Sequence, residues 1–204
     1  MKKNLPFILI IIIFSILISL PLAKAGLFLM HDDTQVARLY LYDKALKSGQ
    51  FPVRWVDELG FGFGYPLFVF YPPLVYMMAE AFHLVGFSFI DSVKIVFFSS
   101  IFLSGIAMYI FAKELFGRLP ALVSALFYMV VPYRAIDVYI RGAMAESFSF
   151  VWLPLILWSL HKLSISKKNL YVWLPGFFLA LLMITHNLTF MAFLPVLSIY
   201  SLFL

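Results

Sequence analysis

Long apolar runs constrain this chain more than any other feature of its sequence. Several of them approach the roughly 20 residues that an α-helix needs to cross the hydrocarbon core of a bilayer. Of the 204 residues, 64% are hydrophobic and only 12% are charged. One soluble core could not bury that much apolar surface. The sequence therefore predicts an all-α fold, a polytopic helical membrane protein of the plasma membrane with membrane lipids around it.

Charge and cysteine content narrow the function classes. The net charge is +5, and Lys and Arg occur in small groups rather than in one basic tract. Such groups report membrane orientation, so nucleic acid is not a predicted partner. The chain has no cysteine, which excludes disulfides, zinc–thiolate sites and iron–sulfur clusters.

Six apolar runs are candidates for membrane spans, and His186-Asn187 divides the last of them. They are Leu5–Leu22, Phe68–Phe89, Ile95–Ala112, Leu119–Val131, Phe148–Leu160 and Leu170–Leu204. The first run resembles a signal peptide because Ala23-Lys24-Ala25 looks like a cleavage site. Its length exceeds the ~7–15 residues of a signal-peptide core, which favours a retained first span.

The distribution of basic residues selects a topology. If every run spans, the basic residues of the short loops and the N-terminus divide evenly between the two sides. If Phe68–Phe89 does not span, one side collects Lys2, Lys3, Lys113, Arg118, Lys162, Lys167 and Lys168. This second arrangement has the positive-inside bias of membrane proteins and places the N-terminus in the cytoplasm.

The segment Phe68–Phe89 also has features that disfavour a span. Pro72-Pro73 interrupts it, Glu80 lies in its middle, and the helix predicted over Leu74–Val85 is short. Such a helix fits better at the membrane interface. We therefore predict one transmembrane module over residues 1–204 with five or six spans. The first span covers 5–22, an outer loop with interfacial helices covers 24–92, and the further spans lie in 93–204.

This topology places nine of the ten acidic residues outside, together with a second outer loop, Tyr133–Ser147. The apolar runs on either side of that loop are short for a ~30 Å hydrocarbon core. Five ionisable residues should consequently lie below the outer membrane surface, namely Arg134, Asp137, Arg141, Glu146 and His186. An ionised side chain at that depth costs ~2.5–3.5 kcal/mol, so these groups should line a wet cavity or be covered by protein. The long first loop is the expected cover.

Two interpretations of the second loop remain open. If Arg134–Arg141 is helical, its two arginines and Asp137 share one face by their i, i+3, i+7 spacing. They form either a salt-bridge ladder that holds the loop down or a pocket with guanidinium groups for a phosphate.

Paired acids open the first loop in the stretch Met30–Arg38. Asp32 and Asp33 follow a predicted span directly, so they are candidates for accepting a proton or holding a divalent cation. The simpler interpretation is that one of them caps the helix predicted over Thr34–Lys47. Both roles are compatible, because one carboxylate can cap while its neighbour faces the cavity. Arg38 is a further candidate for binding substrate.

Two other features carry weaker signals. The stretch Gly60–Gly64 is not a dinucleotide-binding motif because no βαβ pattern surrounds it. The aromatic residues near it are expected to be interface anchors: Trp55, Phe61, Phe63, Phe68, Phe70 and Tyr71. His186 and Asn187, at the depth of the acidic cluster, are candidates for packing or for substrate binding.

The order of these features resembles the GT-C glycosyltransferases, which are membrane enzymes that use polyprenyl-phosphate sugars. Shared elements are a short first span, a loop opening with paired acids, an interfacial Pro-Pro-Leu helix and a basic turn at Ala112–Arg118. More narrowly, the chain resembles a membrane family labelled 6-pyruvoyl-tetrahydropterin synthase-related. That resemblance rests on Ser48–Trp55 with Gly64-Tyr65-Pro66, on Tyr133–Glu146 and on Thr185-His186-Asn187. The chain lacks the His-rich zinc arrangement of the pterin enzyme, so the label does not imply pterin chemistry.

The GT-C resemblance implies a set of roles. Asp32 or Asp33 would act as the general base, Asp137 or Glu146 would assist it or bind a metal ion, and Arg134 and Arg141 would hold a lipid phosphate. The implied activity is sugar transfer from a polyprenyl-phosphate donor to an extracytoplasmic acceptor, with a divalent metal ion as a possible cofactor.

Alternative functions are a lipid- or solute-binding transporter and a non-catalytic scaffold. The last apolar run has no polar flank before Leu204, which predicts an N-terminal module completed by a C-terminal remainder or a protein partner.

Overall fold

A computed structural model of the chain describes residues 4–27 and 29–204. The helices among these residues are α1 (Leu5–Ile18), α2 (Gln35–Lys47), α3 (Leu67–Phe70), α4 (Leu74–Leu84), α5 (Phe89–Phe116), α6 (Arg118–Val130), α7 (Pro132–Ile136), α8 (Met144–Ile165), α9 (Leu170–Thr185) and α10 (Asn187–Phe203). No strand occurs in the described part of the chain, where one isolated β-bridge joins Val56 and Tyr65. The predicted all-α class is therefore confirmed. Lys2 and Lys3, which contributed to the predicted topology, lie outside the described residues.

Among the described residues, two helices are long and apolar enough to cross a membrane, α5 with 28 residues and α8 with 22. Helix α6 together with Pro132–Arg141 makes a third candidate, which is bent by 40°. The other apolar helices of ten or more residues, α1, α4, α9 and α10, have at most 17. These helices fit a membrane protein, and the count of five or six spans stays a prediction.

The helix boundaries correct one step of the sequence argument. The apolar run Phe148–Leu160 is short for a membrane span, but the helix that contains it has 22 residues and extends over Met144–Ile165. Counting apolar residues stopped at polar side chains through which the helix continues. Helix α6, with 13 residues, is as short as its apolar run predicts.

Helix α5 is the centre of the fold and contacts α1, α2, α4, α6 and α8. Ser88 caps its start by accepting a hydrogen bond from the backbone N–H of Asp91 (3.0 Å). Gly117, with φ +84°, ends it and turns the chain into α6. Helices α5 and α6 approach closely at Gly105, where a Cβ would lie 2.4 Å from the Met129 sulfur.

Charged groups separate between the two ends of the helices. The ion pair between Lys162 and Glu114 joins the C-terminal ends of α8 and α5, which therefore run parallel. We call this the basic end, because the helix ends and the connection there carry Lys113, Arg118, Lys162, Lys167 and Lys168. The opposite end, which we call the acidic end, holds the 24–88 segment and the turn between α7 and α8.

The segment 24–88 folds over the acidic end. Helix α4 begins at the predicted residue after Pro72-Pro73 and covers about 16 Å, too short to span a bilayer. Phe61 and Phe63 are fully exposed, in keeping with interface anchors, whereas Phe68 is 5% exposed and belongs to the core.

Glu80 provides a test of how α4 packs on α2. Its side chain is buried, and burial together with the neighbouring Asp43 carboxylate raises the pKa of Glu80. The folded state thus prefers the protonated form, so Glu80 increasingly opposes folding as the pH rises towards the raised pKa. Glu80→Gln is expected to stabilise the protein by about 1 kcal/mol at about pH 8 and to change little at about pH 4. Thermal unfolding at the two pH values measures this.

A matched control is Glu58→Gln. Glu58 is exposed, and its ion pair with Lys44 lowers the pKa of Glu58. Its replacement should not raise Tm at either pH. Equal stabilisation by Glu80→Gln at both pH values would contradict the buried-carboxyl account.

Candidate functional site

Two stretches far apart in sequence run side by side at the acidic end. The backbone N–H of His31 donates to the carbonyl oxygen of Ile140, and that of Asp32 donates to Arg141, both at 2.9 Å. The Gln35 side chain continues the contact by donating from Nε2 to the Gly142 carbonyl oxygen (2.9 Å). These three bonds fix the first loop against the second.

Gly142 makes this contact possible. It follows a π-helical turn over Asp137–Arg141 and has φ +67°, a conformation that favours glycine. A Cβ at this position would lie 2.1 Å from the Met30 sulfur. The first loop therefore approaches the backbone more closely than any side chain would allow.

The two loops and the break between α9 and α10 enclose a cavity of about 340 Å³, which we call the acidic cavity. Its lining residues are His31, Asp32, Tyr71, Arg141, Ala143, Ala145, Glu146 and His186. Four of the residues singled out from the sequence thus lie around one space. They are Asp32, Arg141, Glu146 and His186.

Asp32 is held by four donors. Thr34 Oγ1 donates to Oδ1 (2.7 Å), while Gln35 Nε2 (2.8 Å), Arg38 Nη1 (2.8 Å) and the Tyr71 hydroxyl (3.3 Å) donate to Oδ2. The side chain retains 25% of its surface exposed. Asp32 is therefore an oriented carboxylate that still reaches the cavity.

Two tyrosines support this carboxylate from α4 and the turn before it. Burial raises the pKa of both Tyr71 and Tyr76, so both hydroxyls remain protonated donors at neutral pH. Tyr76 donates to Gln35 Oε1 (2.7 Å), and the Arg38 guanidinium lies 4.4 Å from the centre of the Tyr71 ring. Arg38 binds Asp32 rather than lining the cavity itself.

Arg141 is engaged by both acidic residues of the second loop. Its Nη1 donates to Asp137 Oδ1 (2.9 Å) and to the Tyr133 hydroxyl (2.8 Å), and its Nη2 lies 2.8 Å from Glu146 Oε2. The Tyr133 hydroxyl also donates to Glu146 Oε1. Asp137 is fully buried behind Arg141, so Glu146 is the acid of this pair that faces the cavity.

Arg134 is separated from the acidic cavity. It is 1% exposed, and its guanidinium donates to the carbonyl oxygens of Ser147 (2.6 Å) and Ser100 (3.1 Å) and to Ser104 Oγ (3.2 Å). These bonds tie α7 to α5 and α8. Arg134 does not line the acidic cavity with Arg141, because its Nη atoms are bound by two helix carbonyl oxygens and by Ser104 Oγ. The expected pairing of the two arginines around one phosphate stays a prediction.

The two adjacent aspartates, Asp32 and Asp33, occupy different environments. Asp33 is exposed and does not line the cavity. The predicted helix cap was wrong: α2 begins at Gln35 with Thr34 as its N-cap, and no side chain caps it. Asp32 instead accepts from the side chains of Thr34, Gln35 and Arg38.

The predicted divalent-metal role of Asp32 and Asp33 does not fit these positions. Arg38 already neutralises Asp32, and Asp33 is exposed and does not line the cavity. Within residues 4–27 and 29–204, no group of three or more His, Asp and Glu side chains is placed to hold a metal ion.

His186 has a structural role at the break between α9 and α10, and its role in substrate binding stays a prediction. Its backbone is extended (φ −155°) between α9 and α10, and its Nδ1 caps α10 through Thr189 Oγ1 (2.6 Å) and the Thr189 N–H (3.4 Å). Its ring also lines the acidic cavity. Asn187, by contrast, is exposed on the first turn of α10 and does not line the cavity.

Three residues of the site were missed by sequence reasoning. His31 and Tyr71 line the cavity, and Tyr133 bridges Arg141 to Glu146. Tyr71 was interpreted as an interface anchor because it lies among exposed aromatic residues. The one available signal was position, since His31 adjoins the paired acids and Tyr133 opens the second loop.

No protein-family model matches the chain, and no solved structure matches it. The chain is similar to a protein of Lactococcus lactis subsp. cremoris (strain MG1363) described as an uncharacterized protein, with 24% identity over 209 residues. The match covers 100% of this chain and 34% of that protein.

Proposed function

We propose that the acidic cavity is the active site of a GT-C-like glycosyltransferase. It would transfer a sugar from a polyprenyl-phosphate donor to an acceptor on the extracytoplasmic side of the plasma membrane. The observation that carries the proposal is that Asp32 of one loop lines the same cavity as Arg141 and Glu146 of another. A carboxylate suits proton acceptance, and a guanidinium suits phosphate. Because the chain spans 34% of the relative it matches, the activity of any longer protein is part of the proposal.

Asp32 takes the role of general base. The acceptor hydroxyl oxygen forms a bond to the anomeric carbon, and the bond from that carbon to the phosphate oxygen breaks. The electron pair leaves with the polyprenyl phosphate, and the acceptor proton passes to the Asp32 carboxylate. The cavity supports Asp32 rather than Asp33 for this step, and the donors around Asp32 hold it in one orientation.

Arg141 takes the donor phosphate by exchanging partners. Its Nη2 is bound to Glu146, which lines the cavity, while Asp137 and Tyr133 hold Nη1 from behind. A phosphate that replaces Glu146 keeps the guanidinium neutralised and leaves its anchor to Asp137 intact. Glu146 is then free to assist at the acceptor.

A second function is favoured by one specific observation. Every carboxylate and guanidinium of the acidic cavity already has an opposite charge beside it. The same ion pairs would therefore serve as a clasp that holds each of the two loops in its shape in a non-catalytic scaffold, without binding a phosphate.

Replacing Arg141 separates the two functions. On the catalytic proposal, Arg141→Gln removes a charge-assisted hydrogen bond to the phosphate, so the donor KM should rise about 10- to 100-fold with a smaller change in kcat. The measurement is release of polyprenyl phosphate from labelled polyprenyl-phosphate hexoses, in membranes that contain the full-length protein.

The matched control is Arg118→Gln, which removes an exposed arginine at the basic end. It should leave both kinetic constants unchanged. If Arg141→Gln folds and transfers sugar with an unchanged donor KM, the phosphate-binding role is excluded. If no hexose donor is consumed by the parent protein while Arg141→Gln loses stability, the clasp function replaces it.

A further inference from the structure

A larger cavity, of about 540 Å³, lies apart from the acidic cavity. We call it the lysine cavity. Its walls come from the last turn of α1 with the 3₁₀ turn Leu20–Ala23, from the following residues 24–26, and from the first turns of α5. It shares no lining residue with the acidic cavity, so its chemistry is independent of the proposed transfer reaction.

Two lysines, Lys24 and Lys94, line this cavity, and we call the part of the lining that carries their ammonium groups the rim. Lys24 follows the 3₁₀ turn, and Lys94 lies on the second turn of α5. Lys94 Nζ donates to the Lys24 carbonyl oxygen (2.5 Å), which fixes the loop and the helix to each other. Within residues 4–27 and 29–204, neither ammonium group takes part in an ion pair.

The lining carries unbalanced positive charge. Asp91 is the one acidic residue among the lining residues, and the Ser88 hydroxyl donates to it (2.6 Å) at the start of α5. Two lysines against one aspartate leave a single positive charge. A ligand that brings one negative charge would balance the rim.

Below the rim, the walls are apolar and continue into the exposed side of α1. Ile16, Leu20, Ile95 and Phe98 are among the lining residues. Ile16 and Leu20 are about half exposed, and so is the adjacent Leu17. In a membrane protein such a surface faces lipid, so the cavity opens towards acyl chains while its lysines lie at the helix ends. Lysines at the ends of membrane helices reach the headgroup level.

We propose that the lysine cavity binds an anionic phospholipid, with the phosphodiester between Lys24 and Lys94 and the upper acyl chains along α1 and α5. The charge decides the class of lipid. An anionic phosphodiester supplies the single negative charge that the rim lacks, whereas a zwitterionic headgroup adds a cation beside two lysines. The bound lipid fills the space between α1 and α5 and holds the first helix on the bundle.

Native mass spectrometry of the delipidated full chain tests this binding. The chain is titrated with phosphatidylglycerol or with phosphatidylcholine in a neutral detergent. The parent protein should retain one phosphatidylglycerol molecule in preference to phosphatidylcholine. The double variant Lys24→Gln/Lys94→Gln should bind phosphatidylglycerol about 25-fold more weakly, since each lysine near an anionic lipid contributes roughly a fivefold factor.

Two controls keep the outcome interpretable. Lys167→Gln/Lys168→Gln removes two exposed lysines at the basic end and should leave the affinity unchanged. Lys24→Arg/Lys94→Arg keeps the charges and should retain most of the binding. The proposal is overturned if phosphatidylcholine binds as tightly as phosphatidylglycerol, if the Gln variant at the rim keeps the parent affinity, or if both Gln variants weaken binding equally.

Discussion

Asp32→Asn is expected to lower the rate of sugar transfer about 100-fold or more, while Asp33→Asn stays close to the parent rate. General-base catalysis contributes about 10²–10⁴-fold, and an amide cannot accept the proton. The two neighbouring aspartates form a matched pair, because Asp32 lines the acidic cavity and Asp33 is exposed outside it. The measurement is the kcat for release of polyprenyl phosphate in the full-length protein at saturating donor.

Folding must be followed in the same experiment. Asp32→Asn leaves Arg38 without its carboxylate partner at 2.8 Å, so a fall in Tm of roughly 2–4 °C is expected. A variant that folds and binds donor but does not turn it over places the loss in the chemical step. Transfer at the parent rate in Asp32→Asn would remove the general base. An inactive Asp33→Asn beside an active Asp32→Asn would reverse the assignment.

The helices of this protein could be predicted from its sequence because their physical causes are local. The break before α4 follows from Pro72-Pro73, and the division of the last apolar run follows from His186. Apolar runs placed the cores of α5, α6 and α8 correctly. They failed at the ends of α8, where the helix continues through polar residues that lie at the ends of the bundle.

The acidic cavity could be anticipated only in part. The cost of ionised groups at membrane depth indicated that the charges of the second loop would need partners or water. Which groups become partners depends on contacts between residues more than 100 positions apart, such as Gln35 with Gly142. No local pattern distinguishes Asp32 from Asp33, or shows that helix carbonyls hold Arg134 while carboxylates hold Arg141.

The same long-range contact explains why the candidate site depends on a glycine that carries no chemistry. Glycine at position 142 permits a left-handed backbone and leaves room for Met30, and the first loop then bonds to residues 140–142. Through this junction Asp32 comes to line the same cavity as Arg141 and Glu146. Backbone geometry, rather than attraction between the charges, therefore sets the position of the catalytic candidates.

Gly142→Ala is accordingly expected to destabilise the protein by roughly 2–4 kcal/mol and to abolish sugar transfer. A left-handed conformation costs a residue with a Cβ about 1 kcal/mol or more, and displacing Met30 from a packed position adds about 1–3 kcal/mol. If Met30 moves, the His31 and Asp32 backbone bonds to the second loop lengthen with it. Thermal unfolding gives the stability loss, and the donor-release assay gives the activity.

Gly60→Ala separates the cost of backbone strain from the cost of a steric clash with a neighbouring side chain. Gly60 has nearly the same backbone angle, φ +63° against +67°, but a Cβ there meets no atom within 4 Å. It should show the strain cost alone and keep its activity. The double variant Met30→Ala/Gly142→Ala should recover the part of the activity lost to the collision, because a shortened side chain lets the loops close again. If Gly142→Ala costs no more stability than Gly60→Ala and retains transfer, the two loops do not meet at Gly142 and the acidic cavity is not closed by this contact.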